Sequence, residues 1–210
     1  CINNRTSSSN NNCFSKSVGG GKASIGGFVM KKNIFNKTWG GPKDSMIHST
    51  TFSGMTEECA TAIEALNIIN DENLAYNSEI MGNYFKEQLL SLKNEFPEII
   101  KEIRGRGLLL AVEFNNEFSK FKSILNTVIL KTGFSLAELF SALIITEFFH
   151  EYNILAYLSY SRRDILVFSP SLIITKNEID YIINSFKSIL KNNLSTLSIK
   201  TFYRLLQKNN

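Results

Sequence analysis

Phe14-Ser-Lys16-Ser-Val-Gly19-Gly20-Gly21-Lys22-Ala-Ser-Ile25-Gly-Gly27 sets one lysine just ahead of three consecutive glycines. A lysine on a short, glycine-flanked turn can be held against a ligand with little steric interference. Lys22, on the far side of the glycines, is the competing candidate. By residue type alone a lysine is a solvated surface charge. The glycine run shifts the reading toward anion or carbonyl chemistry, since a desolvated lysine near other cations has a depressed pKa and can form a Schiff base with a carbonyl. A Walker-type phosphate loop fails on spacing: the position five before Gly21 is Lys16, not glycine, and Lys22 is followed by Ala23.

Two further segments bear on the first. In His48-Ser-Thr-Thr-Phe-Ser-Gly54, the hydroxyls of Ser49, Thr50 and Thr51 precede an expected helix. Such residues cap helices, and hydroxyls with backbone amides at a helix start also form a phosphate site. His48 is a candidate to lie near a ligand. With His150 the only other histidine, a His-based metal site or triad is not indicated. In Ile103-Arg-Gly-Arg-Gly-Leu-Leu109, Arg104 and Arg106 alternate with glycines before a strand. Arg162 and Arg163 fall in an expected hairpin turn and are read as solvent-exposed.

The 210 residues suffice for one large domain or two small ones. Hydrophobic content of 43% is that of a globular chain, and a net charge of +4 with scattered basic residues gives no nucleic-acid footprint. The three cysteines, Cys1, Cys13 and Cys59, are odd in number and lack metal-like spacing, which fits a reduced, cytoplasmic protein. No window reaches the ~18 apolar residues of a membrane span. The most apolar stretch, Leu139 to Phe149, is cut by Glu147 and reads as a core helix. Nothing at the start resembles a signal peptide. Residues 3–12 are almost all Asn and Ser, a tract that cannot bury enough apolar surface to order itself.

Along the chain, Ile25 to Met30 reads as a strand and residues 31–50 as loop, on the strength of Gly40, Gly41, Pro42 and Asp44. A helix from near Met55 would bury Cys59, Ala62, Ile63, Leu66 and Ile69 on one face. A longer helix follows, burying Leu74, Met81, Phe85, Leu89 and Leu92, and Pro97 closes it. Residues 103–114 read as a turn feeding a strand, and Leu136 to Tyr152 as a helix burying Leu136, Leu139, Phe140, Leu143 and Ile144. Strands are expected at Ile154 to Tyr160 and Ile165 to Phe168. Thr175-Lys-Asn-Glu178 fits a capping box ahead of a helix with Ile179, Ile182, Ile183, Phe186 and Leu190 on one stripe. The order gives an α/β or α+β class.

The segments, in this order, resemble those of the class III aminotransferases, pyridoxal-phosphate enzymes of fold type I. Phe14-Ser-Lys16-Ser-Val-Gly-Gly-Gly21 matches the family's Schiff-base lysine before a glycine run. His48, Thr51, Phe52 and Gly54 match its His-x-x-Thr-Phe-x-Gly segment; Arg104, Gly105, Gly107 and Leu108 match its Arg-Gly-x-Gly-Leu. Pro170, Leu172, Ile174 and Thr175 match the segment leading into its last helix. The resemblance runs over about residues 13 to 190. It implies the C-terminal part of a fold type I large domain plus a small α+β C-terminal domain. The expected division is a low-complexity segment at 1–12, a partial pyridoxal-phosphate-binding domain at 13–98, the small domain at 99–192 and a basic tail at 193–210. It implies pyridoxal 5'-phosphate as cofactor, Lys16 as its Schiff-base partner and proton shuttle, and Ser49, Thr50 and Thr51 as cofactor-binding residues. Thr51 would reach the phosphate of the partner subunit in a homodimer. The substrates would be an amino acid or amine donor and an oxo-acid acceptor, with no nucleic-acid or membrane partner.

Two departures qualify the resemblance. Where the family carries a carboxylate-gripping arginine, three residues before the proline, this chain has Val167, so that the carboxylate is held elsewhere, as by Arg162 or Arg163, or the substrate is unusual, or the role is lost. No acidic residue precedes Asp44 to pair with the pyridine nitrogen, so the chain reads as a C-terminal fragment. The alternative is a catalytically inactive remnant acting as a dimerisation or interaction module. A third reading is an unrelated anion-binding α/β protein using the Gly19–Gly21 turn.

Overall fold

The computed structural model describes residues 11–41, 43–44, 50–116 and 135–191, and the chain divides into two compact units, Cys1–Ala75 and Tyr76–Asn210. In the first unit β1 (Asn11–Phe14) pairs antiparallel with β2 (Gly27–Met30), Phe14 opposite Gly27. Lys16–Gly19 forms a 3-10 turn on the path between them. Two helices follow, α1 (Lys32–Trp39) and α2 (Thr56–Asp71).

Helix α1 corrects the loop expected over residues 31–50. Phe35 and Trp39 lie four apart, so they share a helix face. Their ring centroids are 6.1 Å apart, and Trp39 stacks on Phe28 of β2 at 5.7 Å. Gly40 and Gly41 mark where the helix stops rather than the nature of the whole segment. Helix α2 stands where the periodicity placed it, but its expected face is only partly buried, with Cys59 and Ile69 half-buried. Ala62 is buried, while Ile63 is 60% exposed and Leu66 is exposed as well. Helical spacing sets which residues share a face, not whether anything covers that face.

In the second unit α3 (Leu74–Glu95), which starts two residues before the division, buries Ser78, Gly82, Phe85, Leu89 and Leu92. That is a 4-3-4-3 stripe. The sheet that follows has strand order β3-β4-β6-β5: β3 (Ile100–Arg106), β4 (Leu109–Phe114), β5 (Tyr157–Leu158) and β6 (Ile165–Phe168), every pair antiparallel. The segment read as a turn feeding one strand is a β3–β4 hairpin. Helix α4 (Leu136–Tyr152) has the expected limits and α5 (Lys176–Lys191) closes the described chain. Ser135 caps α4: its hydroxyl accepts from the Glu138 amide at 3.2 Å, and Glu138 accepts from the Ser135 amide at 2.8 Å. The expected Thr175 box at α5 is present, with the Thr175 amide donating to Glu178 at 2.8 Å.

One face of the sheet, carrying Leu110, Val112, Phe114, Leu166 and Phe168, forms a single core with α3, α4 and α5. Aromatic rings tie it together. Phe85 of α3 meets Phe168 at 5.2 Å, Phe140 of α4 meets Phe114 at 5.2 Å, and Phe186 of α5 lies 5.4 to 6.3 Å from Phe148, Phe168 and Phe114. Helix α3 crosses the hairpin turn backbone to backbone. A Cβ on Gly82 would fall 2.2 Å from the carbonyl carbon of Gly107, which itself has φ +54°. No side chain fits at that crossing.

Candidate functional site

Lys16 opens the 3-10 turn, and the glycines behind it have local reasons to be glycine. Gly20 and Gly21 have φ of +62° and +74°, which residues with a side chain rarely adopt. A Cβ on Gly20 would stand 3.1 Å from the Ala65 Cβ of α2, so the turn seats closely on that helix. The segment leaving the turn and the start of α2 together line a cleft of about 580 Å³, formed by residues that include Ser24, Gly26, Thr50, Ser53, Glu58 and Cys59.

Of the residues expected to hold a cofactor, Thr50 lines this cleft. Its amide donates to Ser53 Oγ at 3.1 Å, and the two hydroxyls lie 3.0 Å apart. Thr51, on the same turn, is exposed and is not one of the lining residues. Ser49 and His48 lie outside the described residues. Helix α2 begins after Met55, whose side chain gives no cap bond, so its first amides have no side-chain acceptor at the N-cap. Glu57 and Glu58 occupy its first turn and complement the helix dipole. Glu58 Oε2 is buried with no hydrogen-bond partner among the described residues.

Sequence reasoning missed Ser24, Ser53, Glu58 and Cys59 as cleft residues. The pairing of Glu57 and Glu58 with the hydroxyl-rich turn just before them was the available signal. Pyridoxal phosphate needs a primary amine at its carbonyl and hydroxyl or amide donors at its phosphate. The hydroxyls of Ser24, Thr50 and Ser53 and the uncapped start of α2 are donors of the second kind. The residues lining the cleft therefore fit the phosphate end of the group. Among the described residues no cluster of three or more His, Cys, Asp or Glu is placed to hold a metal ion, and no helix is long and apolar enough to cross a membrane.

The arginines of the second unit have partners that sequence spacing did not reveal. Glu113 of β4 is buried and gathers three cations: Lys101 at 2.8 Å, Arg104 at 2.6 Å and Arg162 at 2.9 Å. Arg104 also bonds Glu102 at 2.7 Å, and Arg162 bonds Asp164. Arg162, half exposed as its turn position implies, is thus engaged by two carboxylates. Val167 sits in the register row Arg104–Ala111–Val167–Tyr157, across four strands.

Lys101, then Arg104, then Arg162 hold the Glu113 carboxyl down to about 2, against the cost of its burial. A carboxyl depressed from 4.5 stabilises the fold fully above pH 4.5 and ceases to do so as pH falls through about 2. With solvent screening of its half-exposed partners, the contribution is about 2 kcal/mol. Urea unfolding followed from neutral pH down to about pH 2 should show this loss, and a Glu113→Gln variant should show a correspondingly flatter acid limb.

The model of the family described as aminotransferase class-III matches residues 11–190. The curated aminotransferase PigE of a Serratia species is 28% identical over 203 residues, covering 84% of this chain and 24% of its own length. Among solved structures, the ornithine aminotransferase of Toxoplasma gondii aligns at 28% identity and TM-score 0.66, over 88% of this chain and 38% of that one. An amine transaminase from an uncultivated Pseudomonas species, solved in its PLP-bound form, aligns at 22% identity and TM-score 0.69, over 86% and 38%. The chain thus spans about a quarter of that curated relative and about two fifths of these solved ones. Its mixed helix-and-sheet fold is that of part of the fold type I transaminases, as the sequence implied.

Proposed function

Because the chain belongs to the class-III aminotransferase family, we propose that it serves pyridoxal-phosphate-dependent transfer of an amino group from an amino acid or amine to an oxo acid. The observation that carries this reading is the lysine turn seated on α2 beside a hydroxyl-lined cleft. When bound, the cofactor supplies a carbonyl and an electron sink. Lys16 contributes the primary amine that meets that carbonyl. Its Nζ then takes the proton from the substrate α-carbon and returns it at the other end of the transfer, as a positioned general base and acid. Ser49, Thr50 and Thr51 contribute hydroxyl and amide donors to the phosphate, Thr51 across the interface of a homodimer. The assignment keeps residues 13–98 as the cofactor-binding part and 99–192 as the small domain. The free thiols of Cys13 and Cys59 favour the reducing cytoplasm.

The alternative reading, an inactive interaction module, is favoured by one observation: Arg104, in the register row of Val167, and Arg162 are both engaged by carboxylates. A direct test separates the two. The protein isolated from its own cells is incubated with pyridoxal phosphate, reduced with borohydride, digested and mapped. A pyridoxyl group confined to Lys16 is the expected result. Labelling scattered over surface lysines, or none, would sink the enzyme reading.

A further inference from the structure

We propose that Phe52 packs against the pyridine ring of the cofactor whose phosphate the cleft of the first unit receives. The inference rests on the proposed use of pyridoxal phosphate and concerns the part of that group which hydroxyls do not suit. The cleft has two kinds of lining. Ser24, Thr50 and Ser53 bring hydroxyls, while Ile25, Phe52 and Met55 bring apolar surface. Ligand sites of this kind fix orientation through a few polar groups and bury most of the ligand's area against apolar ones. A phosphate ester of a planar ring matches both linings, and a bare phosphate matches one.

Phe52 is the least covered of the apolar three. It is 74% exposed, against 38% for Met55, and Ile25 is half-buried. Its place in the chain is nonetheless fixed. The Ser53 amide donates to the Thr50 carbonyl at 3.0 Å, the Thr50 amide donates to Ser53 Oγ at 3.1 Å, and the two hydroxyls lie 3.0 Å apart. These bonds close a turn over residues 50–53 with Phe52 in its third position. Turns favour Gly, Pro, Asn, Asp and Ser. A phenylalanine held on this one leaves a bare aromatic side chain on the wall of a cleft.

A ring bound in the cleft would take that side chain out of water. Aromatic pairs also gain beyond the area they bury, through offset or edge-to-face contact. The thioether of Met55, three residues on, adapts to an aromatic neighbour. Because Phe52 is mostly exposed, truncating it removes little packing, so its loss reports on the ligand rather than on folding. The hydroxyls then recognise the phosphate and Phe52 recognises the ring that carries it.

The test is binding of pyridoxine 5'-phosphate, which keeps the ring and phosphate of the cofactor and carries an alcohol in place of the carbonyl. It forms no Schiff base, so its affinity does not depend on an amine nucleophile. Binding is followed by the fluorescence of the analogue, with inorganic phosphate as a competing second probe. The protein expressed in its own cells is compared with its Phe52→Ala and Phe52→Tyr variants. Phe52→Ala is expected to lose about 10-fold in affinity for the analogue, and Phe52→Tyr to stay near the parent. Affinity for inorganic phosphate should be unchanged in both. Equal affinity of Phe52→Ala and the parent for the analogue would overturn the proposal and leave the pyridoxal-phosphate reading standing. A parallel loss for inorganic phosphate would also overturn it, because the turn and not the ring would be the cause. So would failure of the parent to bind the analogue, with the borohydride mapping then deciding the reading beneath it. Should Phe52→Ala fail to accumulate, Phe52→Ser, a residue that turns accept, takes its place.

Discussion

Lys16→Ala in the assembled enzyme is expected to lower the rate of amino-group transfer by about 10³-fold or more, with pyridoxal phosphate saturating. Under the proposed function two roles fall on one nitrogen: it meets the cofactor carbonyl and moves the substrate proton. Removing it deletes both, while the hydroxyls of Ser24, Thr50 and Ser53 that line the cleft are untouched. Non-covalent retention of the cofactor should therefore survive better than turnover. A small primary amine added to the variant should restore part of the rate, because the missing group is an amine and not a scaffold. Lys22→Ala is the matched control. Lys22 lies beyond the two left-handed glycines, Gly20 and Gly21, and its loss should leave the rate near that of the parent. If the Lys22 variant is the one that loses activity, the two lysines have been assigned the wrong way round.

Phe186→Ala is expected to cost the second unit about 3–5 kcal/mol, lowering its Tm by about 10 °C or more. Phe186 is fully buried and its ring touches Phe114, Phe148 and Phe168, which belong to β4, α4 and β6. One deletion thus opens a void shared by three elements that close packing does not refill. Thermal unfolding followed by near-ultraviolet circular dichroism would measure it. A loss below about 1 kcal/mol would mean that the neighbouring rings collapse into the space.

The second unit was largely legible in the sequence, because its helices bury their own faces. The α4 limits could be read from an apolar run bounded by Ser135 and Asn153, the latter ending the helix with φ +53°. The Thr175 box announced α5. The first unit was less legible for a physical reason. Periodicity at Cys59, Ala62, Ile63, Leu66 and Ile69 gave the helix correctly, but burial depends on a surface that these residues do not provide. Helix α1 was hidden because Gly40 and Gly41 sit at its end and its ring contacts, Trp39 on Phe28 and on Phe35, involve another element that the local sequence does not announce. In the site, the lysine turn was visible because glycine runs are rare and positional. The Glu113 cluster was not, since Arg162 is 49 residues away in sequence and meets it only once β4 pairs with β6.

The Gly82–Gly107 crossing also sets how the second unit can assemble. Gly82 is the one glycine in the 22 residues of α3. Sliding the helix by a turn, about 5.4 Å, would bring Ser78 or Lys86 under the backbone of Gly107, where not even a methyl group fits. The hairpin therefore has a single height at which it can settle on the helix. Mispaired registers are rejected by collision rather than by a slightly weaker core, which makes docking of α3 on the hairpin an all-or-none event.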